Sequence, residues 1–206
     1  DSVSTIGKYA FSMTSLTSFV IPNKVTTINE GVLKGCVHLN SVTIPDSVIS
    51  IGSSAFYQNT ALTSITIPDS VISIGDHAFY LNTALTSVTF PDNLTSIGSY
   101  AFQDCDALTS VTIPNGVTSI STATFQYTAL TSVTFPSSLI SIGHSAFSNT
   151  DLTSVTFPGS LQTISAYAFY NCDALTSVTF ADSFPSIGEY AFRQSASLQS
   201  VTIPLC

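Results

Sequence analysis

The chain has 206 residues, a formal net charge of −8 and only 8% charged residues, while 44% of its residues are hydrophobic. Nucleic-acid binding needs a basic face, which four Lys and Arg residues cannot supply, and a disordered protein is poorer in apolar residues. No apolar run approaches the roughly 18 residues of a membrane-spanning helix. Ser and Thr contribute 34 and 28 residues, so we expect hydroxyl groups rather than charges to cover the surface.

A leucine recurs every 22 or 23 residues along the whole chain. A proline follows six residues later, with Ala181 as the exception, and an isoleucine follows six residues after that in each complete unit. Such a period is typical of a solenoid, whose units stack because none can bury its apolar face alone. Nine units account for residues 1–206 as one domain, and we expect a fragment of a longer array because each end cuts through a unit. The leucines are Leu16, Leu39, Leu62, Leu85, Leu108, Leu130, Leu152, Leu175 and Leu198.

The first half of each unit predicts a strand, a turn and a second inward-facing segment. In the unit that begins at Leu108, hydroxyl and apolar residues alternate from Ser110 to Ile113, which is the period of a half-buried strand. Pro114 cannot donate to a strand ladder, so we expect the strand to end there, and the Asn-Gly pair that follows favours a turn. Ile120 then faces inward on the return side.

The second half of each unit contains a bend, an Ala-Phe pair and a variable stretch. A glycine usually marks the bend, and the Ala-Phe pair predicts one helical or 3-10 turn that places the ring in the core. Stacked units would align these rings into a continuous aromatic spine. Length varies only between the Phe and the next Leu, which predicts a loop there.

The unit Leu-Thr-Ser-Val-Thr-Ile-Pro-Asp-Ser-Val-x-Ser-Ile-Gly-x-x-Ala-Phe resembles the BspA-like leucine-rich repeat, also called the Treponema pallidum type. The resemblance covers the whole chain and implies a β-rich leucine-rich-repeat solenoid of about nine 22–23-residue repeats. It implies a parallel sheet on one face, with short strands and helical or 3-10 turns on the other. Departures at Leu33, Ala181 and Pro185 predict local irregularities.

The resemblance also implies a surface-exposed or secreted protein of a bacterium or an anaerobic protist, used in adhesion to host proteins or cells. The N-terminal residues have neither the basic start nor the apolar stretch of a signal peptide, so we expect any such signal to lie outside this sequence. Both ends lack polar caps, which favours either a longer array or end-to-end self-association.

The pattern of reactive residues argues against an enzyme. His38, His77 and His144 fall in three different columns of the stack, and no Ser lies in a Gly-x-Ser-x-Gly elbow. No glycine-rich phosphate loop is present either, so we expect no catalytic residue and no cofactor.

The cysteines divide into a column and an isolated residue. Cys36, Cys105 and Cys172 share one column, but stacking separates the first two by three units, or roughly 14 Å. Disulfide-bonded Cα atoms must lie within about 7 Å of each other, so these thiols cannot pair with one another. We interpret the column as a small, semi-buried loop position, and Cys206 as an unpaired residue at the end of the chain.

An acidic column follows the prolines of three consecutive units, at Asp46, Asp69 and Asp92. Stacked carboxylates about 5 Å apart repel each other, and a weak calcium site would relieve that repulsion. The alternative is that Asp after Pro simply makes a side-chain-capped turn. The sequence leaves both interpretations open.

Two sets of exposed residues are candidate binding surfaces. One set consists of variable positions rich in Tyr, a residue favoured at interfaces; its members are Tyr9, His77, Tyr100, Tyr167 and Tyr190 in one column and Tyr57, Tyr80 and Tyr170 in another. The other set is the outward Ser-x-Thr ladder of the strands, represented by Ser87, Thr89, Ser110, Thr112, Ser132 and Thr134.

These surfaces favour a non-enzymatic adhesion module that recognises a host or extracellular-matrix protein or a glycan. Two alternatives stay open: a purely structural repeat scaffold, and ice or crystal-surface binding through the ladder, whose regular Thr array resembles the binding face of β-solenoid antifreeze proteins. We expect a cell-surface or secreted location, a protein or glycan partner, and no nucleic-acid partner.

Overall fold

A computed structural model describes residues 2–182 and 185–204 of the chain. They form a solenoid in which a three- or four-residue strand alternates with a two-residue strand. The longer strands are β1 Ser18–Val20, β3 Ser41–Thr43, β5 Ser64–Thr66, β7 Ser87–Thr89, β9 Ser110–Thr112, β11 Ser132–Thr134, β13 Ser154–Phe157, β15 Ser177–Phe180 and β17 Ser200–Thr202. The short strands are β2 Thr27–Ile28, β4 Ser50–Ile51, β6 Ser73–Ile74, β8 Ser96–Ile97, β10 Ser119–Ile120, β12 Ser141–Ile142, β14 Thr163–Ile164 and β16 Ser186–Ile187.

All strand pairs are parallel, and equivalent residues of neighbouring units face each other. Val155 pairs with Val178, for example, and Ile51 pairs with Ile74. The predicted parallel sheet and the inward Val and Ile columns are therefore confirmed. The short strands form two ladders, β2-β4-β6-β8 and β10-β12-β14-β16. The longer strands form four separate groups, β1-β3, β5-β7, β9-β11 and β13-β15-β17.

The number of turns is smaller than the sequence predicted. Residues 2–182 and 185–204 contain nine longer strands but eight short ones, so eight turns of the solenoid are complete rather than nine. The estimate of nine repeats counted partial units at both ends as whole ones.

The prediction of a helical or 3-10 turn around the Ala-Phe pair was wrong, because no described residue is helical. The backbone N–H groups of His77, Phe79 and Leu81 donate to carbonyls of the following unit at 2.8–3.0 Å. Those of Ala78 and Tyr80 donate to carbonyls three residues earlier in their own unit. His77 and Leu81 have φ angles of 56° and 60°. These left-handed residues break any helix and turn every second N–H group toward the next unit.

The predicted aromatic spine is confirmed. Seven Phe rings stack with centroids 5.0–5.6 Å apart and planes within 17° of parallel; they are Phe56, Phe79, Phe102, Phe125, Phe147, Phe169 and Phe192. Leu33 interrupts the column, so Phe11 packs on Phe19 instead, at 4.8 Å. Strand rings such as Phe157 meet the spine edge-on, with centroids 5.5 Å apart.

The cysteine column is fully buried rather than semi-buried. Cys36, Cys105 and Cys172 are free thiols with no exposed surface. Each thiol donates to the carbonyl oxygen of a spine-position residue in the preceding unit, as Cys105 does to Phe79 at 3.2 Å. Asn82 makes the same bond to Phe56 at 2.8 Å. The column therefore provides hydrogen-bond donors that link consecutive units.

In two shortened loops, threonine makes an equivalent bond within its own unit. Thr128 donates to Phe125 and Thr150 to Phe147, both at 2.9 Å. The Phe carbonyl therefore keeps a hydrogen-bond donor even where the loop between Phe and Leu is one residue shorter. The predicted indel position accordingly lies in a turn that tolerates it.

Some departures from the repeat lie partly outside the described residues. Ser183 and Phe184, between Ala181 and Pro185, are not described, and neither is Cys206. The strand before this segment, β15, extends one residue further than β9, to Phe180.

Candidate binding surface

The Ser-x-Thr ladder faces outward, as its alternation predicts. Each Ser and Thr of β7, β9 and β11 is exposed, while the Val between them is buried or half-buried. Equivalent hydroxyl residues pair in register within β9-β11, where Ser110 faces Ser132 and Thr112 faces Thr134. The ladder therefore exists locally as a hydroxyl surface.

The ladder is not one continuous lattice. Within the described residues no strand pairing connects β7 with β9, and a cleft of about 270 Å³ opens between them. Val88 and Phe90 line one wall of this cleft and Val111 lines the other. A surface that binds ice needs an uninterrupted array, so this break weighs against that use of the ladder.

The first Tyr column lies entirely on left-handed backbone. Tyr9, Tyr100, Tyr167 and Tyr190 have φ angles between 56° and 61°, as His77 does. The same conformation is found at the remaining positions of the column, which are Gly31, Ser54, Ala123 and Ser145. The column thus projects its side chains from the turns that link neighbouring units.

The structure divides the Tyr-rich positions into two groups of rings in mutual contact. The first aromatic cluster consists of Lys34, Tyr57, His77, Tyr80 and Tyr100. Tyr57 and Tyr80 have centroids 5.1 Å apart, His77 contacts Tyr80 at 5.8 Å, and His77 stacks on Tyr100 at 4.8 Å. The Lys34 ammonium lies 4.5 Å above the Tyr57 ring, which is a cation–π distance.

The second aromatic cluster consists of His144, Tyr167, Tyr170, Tyr190 and Arg193. Tyr167 is at its centre, with centroids 5.4 Å from His144, 5.5 Å from Tyr170 and 5.1 Å from Tyr190. The Arg193 guanidinium lies 5.0 Å from the Tyr190 centroid. Both clusters thus combine three Tyr, one His and one cation.

Tyr9 belongs to neither cluster. Its hydroxyl donates to the Glu30 carboxylate, which also forms a salt bridge with Lys8 at 2.9 Å. The hydrogen bond to Glu30 raises the pKa of Tyr9, and the bonds from Tyr9 and Lys8 lower the pKa of Glu30. Tyr9 is 44% exposed but has a local electrostatic partner of its own.

The Asp104 carboxylate interacts with Tyr80 of the first aromatic cluster, and each changes the pKa of the other. Burial raises the pKa of Asp104, and the hydrogen bond to Tyr80 opposes this rise. Burial and the Asp104 carboxylate raise the pKa of Tyr80 in turn. Both effects favour the neutral form of the Tyr80 phenol.

The acidic column lies in turns that backbone hydrogen bonds close, not in the side-chain-capped turns that one of the two interpretations predicted. Val48 donates to Pro45 and Val71 to Pro68 at 3.0–3.1 Å, which closes a turn around each Asp. The next residue caps the preceding unit, as Ser70 does by donating to the Val48 carbonyl at 2.6 Å.

The carboxylates themselves take no part in closing these turns. Asp46, Asp69 and Asp92 are exposed, and no hydrogen bond to their carboxylates is found among the described residues. The described part of the chain contains no group of three His, Cys, Asp or Glu residues arranged to hold a metal ion. The calcium hypothesis stays a prediction, which a calcium titration of the melting temperature would test.

Sequence reasoning missed Tyr127, which occupies a second left-handed column with φ 56° and is 45% exposed. It lines a pocket of about 270 Å³ together with Asp106, Asn149 and Asp151. The two left-handed columns do have a sequence signal. None of their eighteen residues is Val, Ile or Thr, although these make up 61 of the 206 residues (15, 18 and 28).

The described residues contain no helix long and apolar enough to cross a membrane. Comparison with curated protein sequences gives no significant match. Solved structures do match. The chain is 30% identical to a leucine-rich repeat protein from Bacteroides ovatus, with a TM-score of 0.79, and the match covers 88% of this chain and 47% of that one. The chain therefore spans about half the length of this relative.

Two further structures extend the comparison. A leucine-rich cell surface protein from Faecalibacterium prausnitzii is 28% identical with a TM-score of 0.59, over 91% of this chain and 59% of that one. The leucine-rich repeat protein of T. pallidum is 27% identical with a TM-score of 0.63, over 89% and 78% of the two chains.

A family model supports the same relationship from sequence. The BspA type leucine-rich repeat region matches in six copies, over residues 4–131 and 118–205. Together these matches reach almost every residue of the solenoid, including both aromatic clusters. The chain belongs to the BspA-type leucine-rich repeat family.

Proposed function

We propose that this chain is a non-enzymatic, surface-displayed or secreted adhesion module that binds an extracellular protein through its two aromatic clusters. The observation that carries the proposal is the gathering of six Tyr and two His rings into two partly exposed patches on the turns. Tyr and Arg dominate the residues that contribute most to protein–protein binding. The name of the F. prausnitzii relative, a cell surface protein, supports the location.

The packing of the rings favours a protein over a glycan. A sugar stacks on the face of an aromatic ring, and in the first aromatic cluster several such faces are already occupied by a second ring or by a cation. His77 and Tyr100 lie within 12° of parallel, and Lys34 covers Tyr57. The partly exposed ring edges suit the mixed polar and apolar surface of a protein.

The left-handed backbone supplies the rigidity that an interface needs. Tyr has only two χ angles to immobilise, and the turns that display it are hydrogen-bonded to the next unit, as Tyr100 is to Thr122 at 2.9 Å. A ligand therefore meets side chains that are already ordered. Little conformational entropy would be lost on binding.

The test is a pull-down of purified fibronectin, fibrinogen and type I collagen on the immobilised chain. We expect at least one to be retained, and retention to survive enzymatic removal of its N-linked glycans. A variant with Tyr100→Ser and Tyr167→Ser should lose retention; Ser54 and Ser145 show that Ser is accommodated in this column. Tyr9→Ser, outside both clusters, is the matched control.

Each outcome decides between the functions considered. Loss of retention after deglycosylation would replace protein recognition with glycan recognition. Retention by the double variant would contradict the proposed surface. Retention of no matrix protein by the unaltered chain would favour a structural scaffold.

A further inference from the structure

We infer that the module is bivalent: its two aromatic clusters are equivalent stations that recognise the same epitope, presented at least twice by one ligand. This inference rests on the proposed function and specifies its partner as a repetitive or multimeric protein. A single extended site and a pair of unrelated sites are the competing arrangements.

The matching composition of the clusters is the first observation, although His77 lies in the left-handed column and His144 does not. Each cluster holds three Tyr and one His, and each is covered at one side by a single cation, Lys34 or Arg193. The chain has only four Lys and Arg residues, so the placement of one in each cluster matters. Of the other two, Lys8 is paired with Glu30.

Ring geometry is also similar in the two stations. A Tyr that follows a spine Phe contacts a ring of the left-handed column in both: Tyr80 meets His77 at 5.8 Å and 84°, and Tyr170 meets Tyr167 at 5.5 Å and 64°. Each left-handed column ring also contacts the next one along the stack, His77 with Tyr100 and Tyr167 with Tyr190.

The gap between the clusters is the second observation. Small residues replace the rings at the intervening left-handed positions, where Ala123 and Ser145 lie. In the neighbouring column Gln126 donates to the Ser148 hydroxyl at 2.8 Å, so these side chains bind each other. No ring contact within the described residues connects Tyr100 with Tyr167.

The spacing between the stations is fixed by the fold. Tyr100 and Tyr167 occupy left-handed positions three units apart, which is roughly 14 Å at the strand spacing. The intervening Phe rings stack without a break from Phe102 to Phe169, at 5.3–5.6 Å. Two rigidly spaced stations on a repetitive ligand gain avidity without any new contact.

The experiment measures binding to surfaces coated with plasma fibronectin and, separately, fibrillar type I collagen. One variant removes the first station (Tyr80→Ser with Tyr100→Ser), a second removes the second station (Tyr167→Ser with Tyr170→Ser), and a third combines all four changes. Far-UV circular dichroism melting confirms that each variant is folded, and Tyr9→Ser serves as the control.

We expect each single-station variant to bind about 100-fold more weakly than the unaltered chain, and the combined variant not to bind. The decisive measurement is competition between the two single-station variants for the same coated surface. If both stations recognise one epitope, saturation of the coated surface with the first-station variant blocks the second-station variant, and the reverse. Two halves of an extended site, or two unrelated sites, would occupy different places and would not block each other.

The failure of this inference differs from the failure of the proposed function. Absent cross-competition, or a variant that loses all binding while its counterpart loses none, overturns bivalency but leaves adhesion through the aromatic clusters standing. Undiminished binding by the combined variant, or no binding by the unaltered chain to either coating, overturns both.

Discussion

At the residue scale, the two columns of left-handed backbone show that the fold imposes a conformation that most of the residue types found there do not favour. Glycine is the residue best suited to positive φ, yet sixteen of the eighteen positions carry a side chain. The glycines after the return strands serve another purpose. A Cβ on Gly75 would lie 2.6 Å from the Ser53 nitrogen, so this glycine allows close approach of units.

The left-handed columns predict that a substitution by glycine stabilises the protein, whereas glycine usually destabilises regular structure. Gln58 has φ 58°, and Gly35 occupies the equivalent position one unit earlier. Gln58→Gly should therefore stabilise the protein by about 1 kcal/mol, whereas Gln58→Val should destabilise it. Urea denaturation followed by circular dichroism measures both. Gln103, which has negative φ, is the control: Gln103→Gly should destabilise, and the same sign at both sites would contradict an origin in the backbone conformation.

Asp104 predicts a pH dependence of stability. Burial raises its pKa in the folded state above that of the unfolded chain, so the folded state is stabilised below the unfolded pKa and loses that contribution as pH rises through the folded value. Asp104→Asn should therefore melt at a higher temperature than the unaltered chain at neutral pH. The difference should shrink by about pH 3, below the usual Asp pKa of about 3.9.

Melting temperatures of both proteins across this range give the test. The exposed Asp151 provides Asp151→Asn as the control for replacing a surface carboxylate with an amide. An advantage of Asp104→Asn that is constant with pH would assign the effect to the left-handed φ of this residue instead of its charge.

At the scale of the element, the aromatic spine is the main packing feature and one that the sequence predicted well. Phe102 is fully buried between Phe79 and Phe125. Phe102→Ala should destabilise the protein by about 3–5 kcal/mol because it opens a cavity in a stack that cannot collapse. Phe102→Leu should cost roughly 1 kcal/mol, since Leu33 already fills this column in one unit. Equal losses in urea denaturation would contradict the cavity argument.

The success and the failures of prediction have separate physical reasons. The strands followed from alternation of residues such as Val111 and Thr112, because burial on one face fixes that period. The Ala-Phe pair was misread as helical because its side chains point inward as helical ones would. The alternation of hydrogen bonds to the same unit and to the next depends on φ at positions such as His77. A single side chain there does not indicate the conformation, and only the absence of Val, Ile and Thr from the whole column does.

The grouping of the Tyr residues could be predicted only in part. Their columns were visible in the repeat, and the structure shows ring contacts that gather six of these Tyr residues into two clusters. The separate position of Tyr9 depends on its bond to Glu30, and the cover over Tyr57 depends on Lys34, both of which are contacts between units. The break between β7 and β9 has no sequence signal that we can identify.

At the scale of the whole molecule, repetition of identical contacts predicts tolerance to duplication. A second copy of residues 108–129 inserted after Ala129 would meet neighbours like its own on both sides, since repeat stability is close to a sum of unit and interface contributions. We expect this longer chain to fold with an unfolding midpoint at least as high as before. Circular dichroism during urea denaturation measures the midpoint, and a shuffled insert of the same composition should lower it.

Because the Phe rings stack uniformly, the distance between two patches on the solenoid can change only by whole turns. One added turn would move the second aromatic cluster away from the first by one strand spacing, about 4.8 Å, and no intermediate distance is accessible. The reach of a two-station module is thereby adjustable by whole repeats, with neither station altered. Related arrays could match ligands of different periodicity simply by gaining or losing a turn between the same two patches.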